Sequence, residues 1–191
     1  MASETRPHPI EIVLGAHVER IKEQELQSFE ELYRLTRDEV VCALFHMAEP
    51  GADLERLVAD VYAVFFEELR ELPPGAPVRP ALHRVCAKVA LRRRSSLGRR
   101  DRSLGSIDLR RDRDAHELAA SKLHRALRRL SARQRVAFVL DAVMGLPARE
   151  AAAAMGYSRD ALSRLLRQAR LGLSAALQND QNPEDAAEVT P

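Results

Sequence analysis

An apolar stripe at helical spacing restricts this chain more than any other feature. Leu54, Leu57, Val58, Val61, Tyr62, Phe65, Phe66 and Leu69 recur three and four residues apart, which is the period of one face of an α-helix. Asp53 stands before the stripe as a candidate N-cap, and Pro73-Pro74-Gly75 stops it. The same period appears upstream in Phe29, Leu32, Tyr33, Val40, Val41, Leu44 and Phe45, ended by Pro50-Gly51. It appears downstream in Leu82, Val85, Cys86 and Val89. Three such stripes can bury one another and close a small bundle. Residues 1–23 leave two choices open, because Ile10–Leu14 can begin another helix or pack as an extended arm.

The amino-acid usage fits helices. Only eight of the 191 residues are aromatic and none is Trp. The core must therefore come mainly from Leu, Val and Ala, which favours helices over a β-sandwich. A length of 191 residues allows one ordinary domain or two small ones.

The helical period breaks from Arg92 to Asp114. Two Ser-Leu-Gly triplets, Ser96–Gly98 and Ser103–Gly105, sit there among arginines, and the segment reads as a flexible basic linker. Periodicity resumes with Leu118, Leu123, Ala126, Leu127 and Leu130. Ser131 opens a new helix, and Gln134 completes a Ser-x-x-Gln capping box. Val136, Val139, Leu140 and Val143 form the buried face of that helix, and Gly145 supplies a left-handed stop. Pro147 suits the first turn of a short helix over 148–154. Met155-Gly156-Tyr157 makes a turn, and Ser158 caps a last helix whose stripe is Leu162, Leu165, Leu166, Ala169, Leu173 and Leu177. The tail over 179–191 is polar, acidic and expected to be disordered.

Charge is divided unevenly along the chain. Residues 1–78 carry 7 Lys/Arg against 16 Asp/Glu, residues 79–135 carry 18 against 5, and residues 136–191 carry 5 against 7. An overall charge of +2 thus hides an acidic front and a strongly basic middle, which suggests different partners for different parts. Several function classes lack their signatures. There is no HExxH, no P-loop, no G-x-S-x-G and no Gly-rich phosphate loop, so no enzyme, cofactor or metal is expected. His83, His116 and His124 read as surface or boundary residues, and Cys42 and Cys86 as reduced core thiols. The longest uncharged apolar run of the front half is Val61–Phe66, too short to cross a bilayer. Nothing at the N-terminus has the form of a signal peptide, so a cytoplasmic protein is expected.

A short helix, a turn containing Gly156 and a longer capped helix have the spacing of a helix-turn-helix. The small residues Ala151–Ala154 lie where two helices must approach closely. The second helix presents Arg159, Asp160, Ser163, Arg164 and Arg167 away from its leucines. A positive helix N-terminus and exposed arginines suit phosphates and base edges in a major groove. An ordinary helical hairpin with a solvated charged face would show the same spacing.

Several segments, in order, resemble the sigma-70 family of RNA polymerase sigma factors. Toward the C-terminus these are Leu130-Ser-Ala-Arg-Gln-Arg135, Gly145-Leu-Pro-Ala-Arg-Glu150, Gly156-Tyr-Ser158 and Gln168-Ala-Arg170. Toward the N-terminus they are Ser28-Phe-Glu-Glu-Leu-Tyr33, Leu57-Val-Ala-Asp-Val-Tyr62 and Leu82-His-Arg-Val85. The layout is most similar to the short extracytoplasmic-function type. The resemblance implies an all-α protein. A region 2-like domain over 24–95 would follow an arm over 1–23, and a linker over 96–114 would lead to a region 4-like helix-turn-helix domain over 115–178.

The resemblance also implies partners and roles. Core RNA polymerase would meet the helix of Asp53, Asp60 and Tyr62. The melted promoter strand would meet Arg79, Arg84, Lys88, Arg92, Arg93 and Arg94. Duplex promoter DNA would meet Arg159, Ser163, Arg164, Arg167 and Arg170. An anti-sigma factor is a further possible partner, and no membrane insertion is implied. The chain departs from the family pattern at Arg56 and Ala59, where an acidic residue and a glutamine are usual. It departs again at Ala81, where a tryptophan is usual; an alanine offers no surface on which an exposed base can stack. Lys88 and Arg92 replace the usual Asn and Asp, and Leu165 stands at a usual arginine position, with Arg164 beside it. The implied function is a sigma factor directing promoter-specific initiation. The alternative is a sigma-like DNA-binding regulator (a repressor, an activator or a polymerase decoy) without initiation activity.

Overall fold

A computed structural model describes residues 9–23, 26–49, 51–92 and 122–179. The expected linker over 96–114, the tail beyond 179, Arg93, Arg94, His116 and Leu118 lie outside these residues. Among the described residues the secondary structure is entirely helical. The front half comprises α1 (Pro9–Lys22), α2 (Leu26–Met47), α3 (Leu54–Leu69) and α4 (Val78–Arg92). The back half comprises α5 (Lys122–Arg128), α6 (Ala132–Phe138), a π-helical turn (Val139–Val143), α7 (Ala148–Met155) and α8 (Arg159–Asn179).

Local chemistry starts α3 where expected. The Asp53 carboxylate accepts a hydrogen bond from the Arg56 amide at 3.1 Å, satisfying one of the donors a helix start leaves unpaired. Leu57, Val58, Val61, Tyr62, Phe65 and Leu69 are buried as one stripe. Each such leucine or phenylalanine taken out of water contributes about 1.5–3 kcal/mol. Phe66, at the stripe's edge, meets Phe29 of α2 edge-on with ring centroids 4.8 Å apart.

The N-terminal segment takes the helical of its two open choices. Leu14, Val18 and Ile21 of α1 are buried, and α1 packs chiefly on α2. Its Glu11 reaches the start of α4, where the carboxylate accepts from the amides of Val78 at 2.7 Å and Arg79 at 3.2 Å. A residue 67 positions away thus acts as the cap that α4 lacks locally. Lys22 donates to the Leu72 carbonyl at 2.7 Å, tying the other end of α1 to the loop before α4.

Helix α4 lies at the centre of the molecule. Val78, Ala81, Leu82, His83, Val85, Cys86, Ala87, Val89 and Ala90 are all buried. It packs against α1, α2 and α3 of its own half and against α6 and α7 of the other. The two halves therefore form a single packed body, which the sequence pattern alone did not imply. Their contact is completed by α2 against α6 and the π-helical turn.

Several sequence expectations need correction. His83 and His124, expected as surface or boundary residues, are buried at 2% and 9% exposed; packing between elements covers them. Leu123, expected on the buried stripe, is 38% exposed. Val143 is only half-buried. The helix that begins at the Ser131 capping box widens over Val139–Val143, where the Met144 amide donates to the Val139 carbonyl at 2.8 Å. One extra residue in the turn rotates the succeeding side chains off the buried face.

Glu11→Ala should remove the long-range cap of α4. Denaturant unfolding should show a loss of about 1 kcal/mol, the usual penalty for a missing helix cap, while Glu11→Gln retains one acceptor and loses less.

Candidate nucleic-acid interface

The helix-turn-helix is built from three local devices. Pro147 precedes α7 with its φ near −54°, a value its ring imposes and a helix start accepts. Gly156 ends α7 in the left-handed region at φ 69°, with its amide on the carbonyls of Ala152 and Ala153. The Tyr157 amide then donates to Ala152 at 2.9 Å, so the carbonyls at the helix end are satisfied within the turn. Ser158 restarts the chain, its hydroxyl accepting from the Ala161 amide at 3.2 Å. Leu162, Leu166, Ala169, Leu173 and Ala176 anchor α8, mainly against α6, α5 and α7.

This anchoring leaves the opposite face of α8 in solvent. Arg159, Ser163, Arg164 and Arg167 are exposed, as is Asp160. Among the described residues Arg159, Arg164 and Arg167 have no ion-pair partner. Arg170 differs, since it holds Asp141 at 3.1 Å. The usable positive charge on α8 is thus confined to its N-terminal three turns, where the helix dipole adds to it. Leu165 is half-buried and belongs to the packed side.

The cations expected to meet a melted strand are arranged otherwise. Arg79 donates to Glu39 from Nε at 3.0 Å and from Nη2 at 2.6 Å. His83 Nε2 stands 2.6 Å from the same carboxylate. Burial would raise the Glu39 pKa, but the hydrogen bonds and charges of His83 and Arg79 outweigh it and bring it down to about 2. That carboxylate stabilises the fold above about pH 4.5, and the contribution is lost only as pH falls toward 2. Lys88 and Arg84 both meet Glu68, at 2.6 and 3.3 Å. Against the upward pull of burial, they hold that carboxyl below its usual range. Arg92 is exposed at the end of α4. Ala81 is buried, so a larger side chain there would have to part α4 from its neighbours.

The three residues expected to face a polymerase also separate. Asp60 is exposed. Asp53 is engaged as the α3 cap. Tyr62 is in the core, its hydroxyl 2.8 Å from that of Thr36 and its ring 4.8 Å from Tyr33. Burial raises the phenol's pKa well above its ordinary value, and Tyr62 presents no surface in this conformation. The partners that reorganise the basic face, Glu39 and Glu68, escaped the sequence reading. Each lies 16 to 44 residues from its cation, beyond any local spacing rule.

Residues 120–173 match the family model described as sigma-70, region 4. No curated protein sequence matches the chain. Among solved structures, the chain is similar to CnrH in its complex with the cytosolic domain of CnrY. Identity there is 25%, covering 89% of this chain and 98% of that one, with a TM-score of 0.63. It also shares the fold of the sigma factor RpoE from Bartonella quintana, solved with the anti-sigma factor NepR. That match has 20% identity, covers 81% of this chain and 99% of that one, and has a TM-score of 0.59.

Glu68→Gln should release Lys88 and Arg84 toward solvent. Fluorescence anisotropy with a single-stranded oligonucleotide should then show tighter binding at low salt. The dependence of log affinity on log salt should steepen by about 0.7 for each phosphate newly met.

Proposed function

We propose that this chain, a sigma-70 family protein of the extracytoplasmic-function type, binds core RNA polymerase and directs it to promoters by reading duplex DNA with α8. The observation that carries this reading is the face of α8 itself. Arg159, Arg164 and Arg167 stand exposed beside Ser163, without ion pairs among the described residues, on a helix whose other side is fastened by leucines. Such a helix can enter a major groove without disturbing its own packing. Arginines then reach guanine edges and phosphates, and Ser163 adds a short hydrogen-bonding group. Asp60 on the exposed side of α3 is the residue we assign to the polymerase. The protein would supply binding and positioning, with the chemistry left to the polymerase. The two structural neighbours are described in complexes with CnrY and with an anti-sigma factor, which supports a protein partner of that kind here.

One observation favours a second reading, a DNA-binding regulator that does not open promoters. Arg79, Arg84 and Lys88 spend their charge on Glu39 and Glu68, and Ala81 provides no stacking surface. Permanganate footprinting with purified core polymerase separates the two. Reactive thymines at a bound promoter support initiation. Polymerase binding with no reactive thymine at any salt concentration would establish the regulator instead.

Charge reversal tests the α8 face directly. Arg164→Glu or Arg167→Glu should weaken duplex binding by about 1–3 kcal/mol if the side chain meets a base edge. Helical content by circular dichroism should not change, because both residues lie off the buried stripe. Arg170→Ala should have the smaller effect, since Arg170 is held by Asp141. Unaltered affinity in both reversal variants would place the DNA contact elsewhere.

A further inference from the structure

The seam between the two halves is closed by groups that respond to charge. Arg135 of α6 is 1% exposed and crosses to the end of α2, where its Nε donates to the Met47 carbonyl at 3.0 Å. Its Nη1 donates to Leu130 at 3.4 Å, and its Nη2 lies 2.9 Å from Glu49, close enough for attraction but without hydrogen-bond geometry. Beside it, His124 of α5 stacks on Phe45 of α2, with ring centroids 4.2 Å apart and planes at 21°. His46 of α2 lies 5.6 Å from His124, ring to ring. Both imidazoles are buried; the cations Arg128 of α5 and Arg135 of α6 act on His124, and the His124 ring acts on His46. Glu49 is half exposed and already beside Arg135, and Asp141 on the π-helical turn is occupied by Arg170.

We propose that this seam is a pH-gated latch, in which neutral His46 and His124 hold the two halves together and their protonation parts them. Protonating both imidazoles would set two positive charges side by side in a buried site, with Arg135 acting on the second of them. Burial, with the His124 ring beside it, brings the His46 pKa down to about 4. Burial, with Arg128 and Arg135, lowers that of His124 as well. A histidine whose pKa is depressed by closure favours the closed form above its ordinary pKa of 6.5, and disfavours it progressively as pH falls toward the depressed value. For His46 alone, moving from neutral pH to about pH 5 should shift the closed-to-open ratio about 20-fold toward open. Glu39 and Glu68 remain ionised in this window, so neither confuses the response. Opening would uncover the sides of α4 and α7 that now cover each other. That consequence bears on transcription only through the function proposed above, whereas the latch itself does not depend on it.

Small-angle X-ray scattering of the full chain between about pH 7.5 and 5 tests the latch without DNA or polymerase. The radius of gyration should rise as pH falls, with helical content by circular dichroism retained. His124→Phe, which keeps a ring against Phe45, should reduce the response, and His46→Gln combined with it should abolish it. A wild-type radius constant across this range overturns the proposal. So does expansion of the double variant along the wild-type profile, which would assign the response to another group such as His83. If the double variant loses helix, the wild-type and His124→Phe profiles decide: an unshifted profile in His124→Phe also overturns the latch.

Discussion

The structure depends on the burial of α4 on nearly every side. Nine of its fifteen residues are buried, and their apolar surface supplies most of what joins four helices of one half to two of the other. Several are small, such as Ala81, Cys86, Ala87 and Ala90. Small side chains allow neighbouring helices to come close, and close packing multiplies weak dispersion contacts. The helix starts without a local cap, so its position also depends on Glu11 of α1.

The burial of α4 also decides which of its charges stay outside. Arg79, Arg84 and Lys88 occupy the few outward positions, and the acidic helices packed beside α4 supply Glu39 and Glu68 to meet them. The segregated charge seen along the chain is therefore partly cancelled in space. The acidic front neutralises the first part of the basic middle, which lowers the field that α4 can offer a nucleic acid. On α8 the geometry is different, because its buried side contains leucines and alanines and, among the described residues, its outward arginines meet a carboxylate only at Arg170.

The union of the two halves is more polar than either half's core. Arg135 and two histidines sit within it, where a protein interior usually admits only groups that are paired or neutral. An interface of this kind is held by packing yet remains sensitive to protonation, unlike the leucine-rich contacts inside each half.

The helices themselves were legible in the residue order. The stripe from Leu54 to Leu69, the Asp53 and Ser131 caps, the Gly156 turn and the outward arginines of α8 depend on partners within about one helical turn, and spacing encodes them directly. The caps and turns came out where the residues placed them, while the π-helical widening that displaced Val143 left no such mark. Nothing local revealed that Tyr62 would be claimed by Thr36, that Glu11 would cap α4, or that Glu39 and Glu68 would occupy the basic face. Those pairs join residues from 16 to 68 positions apart, and the Arg135 contact with Met47 spans 88. By itself the sequence determined most of the helices, their local caps and the exposed arginine face of α8, because each is a property of a few neighbouring residues. Only the tertiary structure decided which charges remain available and that the two halves close on each other, because both depend on surfaces that meet only after the helices pack.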